Sequence, residues 1–269
     1  MSPRQPSQTF SLFLPVLLCI VLMAGCNLPA KITPTVTLLP SYTPQLLQDT
    51  PTTLLPTLTA QPTATPLPAP LNIVFTTGTT EAIQPGTFQL GQNQSYSLSA
   101  GQNQPMILIL DSPNNDLYLA VTEPNGNKLL DPANRWNRWQ WLLPKTEVYT
   151  IQVFGGASTE NYTLTVRVVQ LVNFTSGLSS TTLNGTTVNG YVFSYAVYCN
   201  AGQTMTTTLN VPSSTAYLDV FGLATGPLLS PSAKANTWSG ILPSTQDYVI
   251  EVFPNNGQAV NYSLTVSCH

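Results

Sequence analysis

A cluster of tryptophan and arginine is the part of this sequence best suited to binding chemistry. Residues 133–141 read ANRWNRWQW, with three tryptophans and two arginines in nine positions. The whole chain has four tryptophans, and 7% of its residues are charged. Exposed tryptophan beside arginine is favoured at binding hot spots, and a flat indole also stacks on sugar rings. The alternative is a packed arrangement in which the arginines lie over the indoles and cover them.

Residues that could catalyse a reaction are scarce by comparison. The one histidine, His269, is the last residue, where a general base is hard to position. A Ser-His-Asp or Cys-His arrangement would depend on it, and the sequence has no HExxH, P-loop or glycine-rich dinucleotide motif. Glu147, Asp247 and Glu251 lie on or beside predicted strands, at alternating positions that we expect to face solvent. The sequence therefore predicts a protein that is not an enzyme.

The N-terminus carries an export signal. Arg4 precedes an apolar run at 12–24, which is too short to span a bilayer and suits the core of a signal peptide. The ending LMAGC resembles a bacterial lipobox, and the resemblance implies cleavage before Cys26 and lipid on its thiol. We expect a signal peptide at 1–25 and a protein held by lipid on the extracytoplasmic face of a bacterial cell envelope. An ordinary signal peptide is the alternative.

The next segment, 26–70, has the composition of a disordered stalk. Between residues 27 and 70 there are ten prolines and eleven threonines, and only Lys31 and Asp49 are charged. Such a segment cannot bury a core, and its prolines favour extended polyproline-II backbone. We expect it to hold the remaining residues away from the lipid.

The remainder of the chain repeats itself after about one hundred residues. Among the matching pairs are YLAV (118–121) with YLDV (217–220), VYTIQVF (148–154) with DYVIEVF (247–253), NYTLTV (161–166) with NYSLTV (261–266), and SAGQ (99–102) with NAGQ (200–203). Period-2 alternation of apolar residues and frequent turn signals predict short strands in each copy. We therefore expect an all-β fold with two tandem antiparallel β-sandwich domains, jelly-roll or immunoglobulin-like, at 71–170 and 171–269.

Two cysteines remain for a disulfide. Cys19 leaves with the signal peptide and Cys26 takes the lipid, so Cys199 and Cys268 form one pair in an oxidising compartment. A redox-active pair is the alternative, but neither cysteine lies in a CxxC motif. The alignment of the copies matches Leu98 with Cys199 and Val168 with Cys268, so we expect these two apolar residues to pack together.

The same alignment divides the tryptophan cluster. Trp139 matches Trp238, which favours a core position for both, whereas Trp141 matches Gly240 and Trp136 matches Ala235 in a loop. The candidate binding residues are Trp136, Arg138, Arg135 and Trp141.

The repeated pattern is similar to two related bacterial families. The Ala-Gly-Gln turn, the Leu-Pro before the Y.I.V strand and the terminal NY.LTV resemble the pre-peptidase C-terminal domain and the periplasmic inhibitor of g-type lysozyme. The inhibitors resemble one another in a basic loop between the last two strands, but 155–160 and 254–260 contain no lysine or arginine here. The first resemblance also raises a calcium site at Asp111 and Asp116, with a plain polar turn as the alternative, since calcium takes six to eight oxygen ligands.

Composition and elimination favour a binding function. The net charge is −3 and no basic stripe is present, so we expect no nucleic-acid partner and no resident cofactor. We expect a non-enzymatic surface protein that binds glycan or protein, or acts as a spacer in the envelope. The alternatives are a lysozyme or peptidase inhibitor, and an accessory subunit of a secreted hydrolase.

Overall fold

The computed structural model describes residues 69–188, 190–212, 215–255 and 258–269. The predicted signal peptide, the lipidation site at Cys26 and nearly all of the 26–70 linker lie outside these ranges. In the described part of the chain, no helix is long and apolar enough to cross a membrane.

Nine strands form the first sandwich, and the all-β prediction is confirmed. The strands are β1 Leu71–Asn72, β2 Glu81–Phe88, β3 Gln94–Ala100, β4 Pro105–Asp111, β5 Leu117–Thr122, β6 Lys128–Leu130, β7 Arg138–Leu142, β8 Glu147–Gly155 and β9 Glu160–Val168. One sheet has the order β1-β3-β8-β5-β6 and the other β2-β9-β4-β7. All pairings are antiparallel except that of β1 with β3.

The second sandwich has the same strand order. Its strands are β10 Gln170–Val172, β11 Ser180–Thr186, β12 Phe193–Cys199, β13 Thr204–Asn210, β14 Ala216–Gly222, β15 Gly226–Leu229, β16 Thr237–Ile241, β17 Gln246–Pro254 and β18 Asn261–Cys268. They form sheets of order β10-β12-β17-β14-β15 and β11-β18-β13-β16. A short 3-10 helix lies in each sandwich, at Pro132–Asn134 and at Pro231–Ala233.

Alternate residues of each strand fill the core between the sheets. In β9, Tyr162, Leu164 and Val166 are buried, while the residues between them are partly exposed. The hydroxyls of Tyr162 and Tyr96 meet across the core at 2.6 Å, which satisfies both polar ends of the buried rings. Gly86 lies opposite Tyr162, whose ring occupies the space that a Cβ at this position would need.

The predicted disulfide between Cys199 and Cys268 is present. It links β12 in one sheet of the second sandwich to β18 in the other, and both residues belong to the buried core. The bond therefore joins the two layers at one end of the sandwich.

The counterpart of Cys199 in the first sandwich is Ala100, and the predicted match with Leu98 is wrong. Ala100 pairs with Glu147 across β3 and β8, as Cys199 pairs with Gln246 across β12 and β17. Leu98 lies two residues earlier, deep in the first core. The pair that replaces the bridge is therefore Ala100 with the residue equivalent to Cys268.

The alignment of the two copies was wrong at this turn because it matched identical residue types, Ala-Gly-Gln, that do not occupy equivalent positions in the two turns. In the first sandwich, the side chain of Gln104 accepts a hydrogen bond from the Gly101 backbone N–H at 2.7 Å. In the second, Gln203 accepts from the Asn200 N–H at the same distance. Gln104 and Gln203 are thus equivalent, which shifts the two Ala-Gly-Gln segments by two residues.

A pair of neighbouring carboxyl groups lies where the first sandwich departs from the second. Burial and a hydrogen bond with Glu123 raise the pKa of Glu147. Hydrogen bonds from Asn127 and Lys145 lower the pKa of Glu123, so Glu147 is the more readily protonated of the two. The equivalent residue in the second sandwich is Gln246, a neutral isostere of protonated glutamate.

Glu147→Gln should make the stability of the protein less sensitive to pH. The raised pKa of Glu147 means that its contribution is complete below its ordinary range and is lost as the pH rises through its folded value. The variant should match the wild-type melting temperature below pH 4 and exceed it at pH 8, as measured by circular dichroism. Glu123→Gln is the matched control and should lower the melting temperature at pH 8, because the pKa of Glu123 is lowered. Parallel pH profiles for wild type and Glu147→Gln would refute this.

Candidate binding site between the two sandwiches

The two sandwiches pack against each other through the outer face of one sheet in each. Ile107 of β4 and Val169, the residue between β9 and β10, form a buried cluster with Ala196 and Val249 of the second sandwich. The side chain of Gln140 also donates to the Leu223 carbonyl at 2.8 Å. The two sandwiches therefore share an apolar interface.

Arg167 of β9 is the central polar residue of this interface. Its side chain is only 11% exposed and lies 2.8 Å from Glu81 of its own sandwich and 3.0 Å from Glu251 of the other. A buried arginine requires such partners, because an unpaired charge away from water is costly. The guanidinium thus connects the two sandwiches through two carboxylates.

Backbone and hydroxyl groups fix both carboxylates. Glu81 accepts a hydrogen bond from the Val192 N–H at 2.7 Å, and Glu251 accepts one from the Ser194 hydroxyl at 3.0 Å. The Ser194 N–H in turn donates to the hydroxyl of Thr80 at 2.8 Å. The bonds to Glu81 and Thr80 run from the second sandwich to the first, and the bond to Glu251 lies within the second, so the interface is specified by polar geometry as well as by apolar burial.

The predicted solvent-facing position of Glu251 is wrong. The residue is 1% exposed, because the first sandwich covers the outer face of β17 on which it lies. Burial raises its pKa to about 7, against the opposing effect of Arg167. Sequence alternation correctly placed Glu251 away from the core of its own sandwich but could not show the second covering.

A groove of about 1000 Å³ lies beside this interface, lined by residues of both sandwiches. Its lining from the first sandwich includes Trp136, Arg138 and Trp141, and from the second Asp219 and Phe253. Arg167 and Glu251 also line it. We call the side chains of Trp136 and Trp141 the aromatic wall of the groove, and those of Arg167, Asp219 and Glu251 its charged floor. The groove brings together three of the four residues that the sequence singled out for binding.

The three tryptophans of the cluster differ in exposure. Trp139 is 6% exposed and belongs to the first core, which confirms the prediction for that residue. Trp136 is 53% exposed in the loop before β7, and Trp141 is 58% exposed on β7, the edge strand of its sheet. Two indoles are thus available to a ligand.

The backbone that carries Trp136 is held in place. Its carbonyl accepts a hydrogen bond from the Leu119 N–H at 2.8 Å, and the next carbonyl, of Asn137, accepts from Leu110 at 2.8 Å. The loop is therefore tied to β5 and to β4. An exposed indole on a fixed backbone loses little entropy when a ligand packs on it.

The two arginines of the cluster have different partners. Arg135 caps the 3-10 helix with a left-handed φ of 55°, and its guanidinium lies 5.4 Å from the centre of the Tyr118 ring. Arg135 does not line the groove. Arg138 lines it and pairs with Asp111 at 3.1 Å in an exposed contact, a kind of ion pair that contributes little to stability.

The two aspartates considered for calcium have other contacts. Asp111 pairs with Arg138, and Asp116 accepts from the Ala157 N–H at 2.9 Å beside Glu160. In the described ranges, no group of three or more acidic, histidine or cysteine residues is arranged to hold a metal ion. The calcium site stays a prediction from the sequence.

Two carboxyl groups lie side by side on the groove floor. Asp219 of β14 pairs directly with Glu251 of β17 in the sheet register. Burial raises the pKa of Asp219 to about 6. Arg167 lowers the pKa of both groups, but burial is the larger effect for each.

At the positions equivalent to Trp136, Arg138 and Trp141, the second sandwich has the same backbone contacts but smaller side chains. The Leu218 N–H donates to the Ala235 carbonyl at 2.8 Å, as Leu119 donates to Trp136. The strand registers make Thr237 equivalent to Arg138, and Gly240 to Trp141. A sandwich of this kind therefore folds with alanine, threonine and glycine at these positions, so the larger residues are not required by the fold.

Comparisons with known proteins give structural similarity only. The chain matches no family model and no curated protein. Among solved structures it is similar to a periplasmic lysozyme inhibitor of g-type lysozyme from Aeromonas hydrophila, at 29% identity and a TM-score of 0.32, over 38% of this chain and 96% of that one. A mutant of the corresponding inhibitor from Escherichia coli matches at 18% identity and a TM-score of 0.28, over 37% of this chain and 96% of that one. The matched length is about that of one sandwich, and the similarity does not assign a function.

Proposed function

We propose that this protein is a non-enzymatic binding module of the bacterial cell envelope, and that the groove between its two sandwiches binds an extracytoplasmic ligand. The observation that carries the proposal is the exposure of Trp136 and Trp141 on the groove wall. Large exposed aromatics on a rigid scaffold are costly to leave in water and are typical of binding sites. The equivalent Ala235 and Gly240 indicate that the fold does not need them.

The location is part of the same proposal. The signal at 1–25, lipid on Cys26 and the proline-rich 26–70 segment would hold the sandwiches outside the membrane that anchors them. The disulfide between Cys199 and Cys268 supports an oxidising compartment. In this arrangement the groove faces molecules of the envelope or of the cell exterior.

The binding proposal is tested with the mature protein on a glycan array and in pull-downs from envelope extracts. The test variant replaces three residues by their counterparts in the second sandwich: Trp136→Ala, Arg138→Thr and Trp141→Gly. We expect this triple variant to lose most of the binding, at least tenfold, while its melting temperature stays near that of the wild type. Tyr198→Ala is the matched control, because Tyr198 is an exposed aromatic that does not line the groove.

Two outcomes would overturn the proposal. One is full binding by the triple variant, which would remove the groove from the binding surface. The other is equal loss in Tyr198→Ala, which would show that exposed aromatics bind without specificity.

Inhibition of lysozyme is the alternative that an enzyme assay separates. We expect no inhibition of a g-type lysozyme by the mature protein, because the loops at 155–160 and 254–260 contain no lysine or arginine. Stoichiometric inhibition would favour the inhibitor function instead. Capture of a secreted hydrolase in the pull-down would favour the accessory-subunit function.

A further inference from the structure

We infer that the ligand of the groove is an uncharged oligosaccharide, whose rings stack on Trp136 and Trp141 while its hydroxyls donate to Asp219. This inference rests on the proposed binding function and names its ligand class. Three features of the groove lead to it: the pairing of its charges, the polarity of its floor and the form of its aromatic wall.

Three of the four charged residues that line the groove, Arg138, Arg167 and Glu251, are paired within the protein. The lining contains two arginines and two carboxylates, so it has no excess of either sign. Arg138 is engaged by Asp111 at 3.1 Å, and Arg167 is engaged by Glu81 and Glu251. Phosphate, sulfate and carboxylate ligands are bound by arginines with free N–H groups in a fork, and both arginines of the lining already face carboxylates. Asp219 would also repel an anion.

Two carboxyl groups in the groove oppose a lipid chain, although apolar residues such as Ile109, Leu129 and Phe221 also line it. Asp219 and Glu251 lie next to each other on its floor, and covering a polar group with hydrocarbon costs several kcal/mol, of order 2–7, when no hydrogen bond replaces water. Sugar hydroxyls replace those hydrogen bonds directly. A carboxyl oxygen accepts from a hydroxyl in either of its protonation states, so the floor fits a neutral ligand that is rich in donors.

The aromatic wall and the groove size favour several sugar rings over one. Trp136 lies in the loop before β7 and Trp141 lies on β7, and both line the groove, so it offers two separate indoles for stacking. The apolar faces of pyranose rings pack on flat aromatics, and the rigid ring loses little entropy in doing so. The volume of about 1000 Å³ is at the upper end for small-ligand pockets, which suits an oligosaccharide.

Isothermal titration calorimetry of the mature protein tests the inference with defined hexasaccharides. The neutral probes are cellohexaose, xylohexaose, maltohexaose and chitin hexaose. The charged probes are hexagalacturonic acid and hexaglucosamine. We expect at least one neutral probe to bind. The affinity for each charged probe of the same length should be at least tenfold weaker than the affinity for that neutral probe.

Variants separate the contacts. Trp136→Ala and Trp141→Ala should each weaken the neutral probe at least fivefold, and Asp219→Ala should weaken it while Tyr198→Ala does not. Thermal unfolding of each variant establishes that it is folded. Binding of the neutral probe that is unchanged in both tryptophan variants would overturn the inference.

The outcomes distinguish this inference from the proposed function. If hexagalacturonic acid or an envelope protein binds, and the triple variant abolishes that binding, the groove is a binding site and the neutral-glycan inference is wrong. If neither glycans nor envelope extracts show binding that depends on the groove, both are wrong.

Discussion

Replacing Arg167 with methionine should lower the free energy of unfolding by about 3–5 kcal/mol at pH 7.5. The variant keeps most of the side-chain volume but leaves Glu81 and Glu251 buried without their cation, which was 2.8 Å and 3.0 Å away. Breaking a buried ion pair on one side is destabilising because the remaining charge has neither water nor a partner. Urea denaturation followed by fluorescence measures the change.

The pH dependence of this variant should identify the cause. Without Arg167, the buried carboxyl group of Glu251 has a still higher pKa, so the folded state holds its proton to higher pH than the unfolded state does. The stability of Arg167→Met should therefore recover as the pH falls through the folded pKa of Glu251, which lies at or above about 7, toward the ordinary range of a glutamate. A triple variant that also carries Glu81→Gln and Glu251→Gln should regain much of the loss at pH 7.5, because no unpaired charge remains.

The control for Arg167 is another arginine of the same groove. Arg138→Met removes an exposed pair with Asp111 and should cost at most about 1 kcal/mol. If Arg167→Met also stays within about 1 kcal/mol of the wild type, the polar network does not hold the sandwiches together. The apolar cluster around Ile107 and Val249 would then be sufficient.

Removing the disulfide is the second change with a large expected effect. Cys199 and Cys268 are 69 residues apart, and chain-entropy reasoning gives about 4 kcal/mol for a loop of this size, with about 2 kcal/mol as a practical lower value. The variant Cys199→Ala with Cys268→Ala should lose this amount in urea denaturation. Wild-type protein should fall to the same stability in the presence of dithiothreitol.

The first sandwich offers the reciprocal experiment. Ala100 and Val168 occupy the positions of the two cysteines in the sheet registers. Ala100→Cys with Val168→Cys should oxidise spontaneously and raise the stability of the first sandwich, and the pair Leu98→Cys with Val168→Cys should not. Bridge formation with Leu98 and not with Ala100 would restore the original alignment and contradict the observed register.

The strands and the cores could be predicted from local patterns. Alternation in NYTLTV and YTIQV requires one buried face, and the structure buries Tyr162, Leu164 and Val166 as that pattern indicates. The core position of Trp139 was also predictable, because the second copy keeps a tryptophan, Trp238, at the equivalent position. These features depend on neighbours within one sandwich, which the sequence period reports directly.

The interface between the sandwiches was not predicted, because the alternation of apolar residues along a strand identifies only the face that packs in the core of its own sandwich. Glu251 lies on the outer face of β17, and the pattern alone indicates solvent there. A signal was present in PMILILD (105–111), where Ile107 and Ile109 interrupt the expected polar positions. A strand with apolar residues on both faces is covered on both sides. Arg167 had no such signal, because its partners come from distant parts of the chain.

We propose that the groove between the sandwiches binds its ligand through Trp136 and Trp141. The chain has four tryptophans, so a nitrogen–proton correlation spectrum of the mature protein should contain four indole N–H signals, assignable by single substitution. When the neutral hexasaccharide that binds in calorimetry is added, we predict that the indole signals of Trp136 and Trp141 shift. The signal of Trp238, in the second sandwich, should not shift. A shift of Trp238 alone, or no shift of the two exposed indoles at saturation, would contradict the claim.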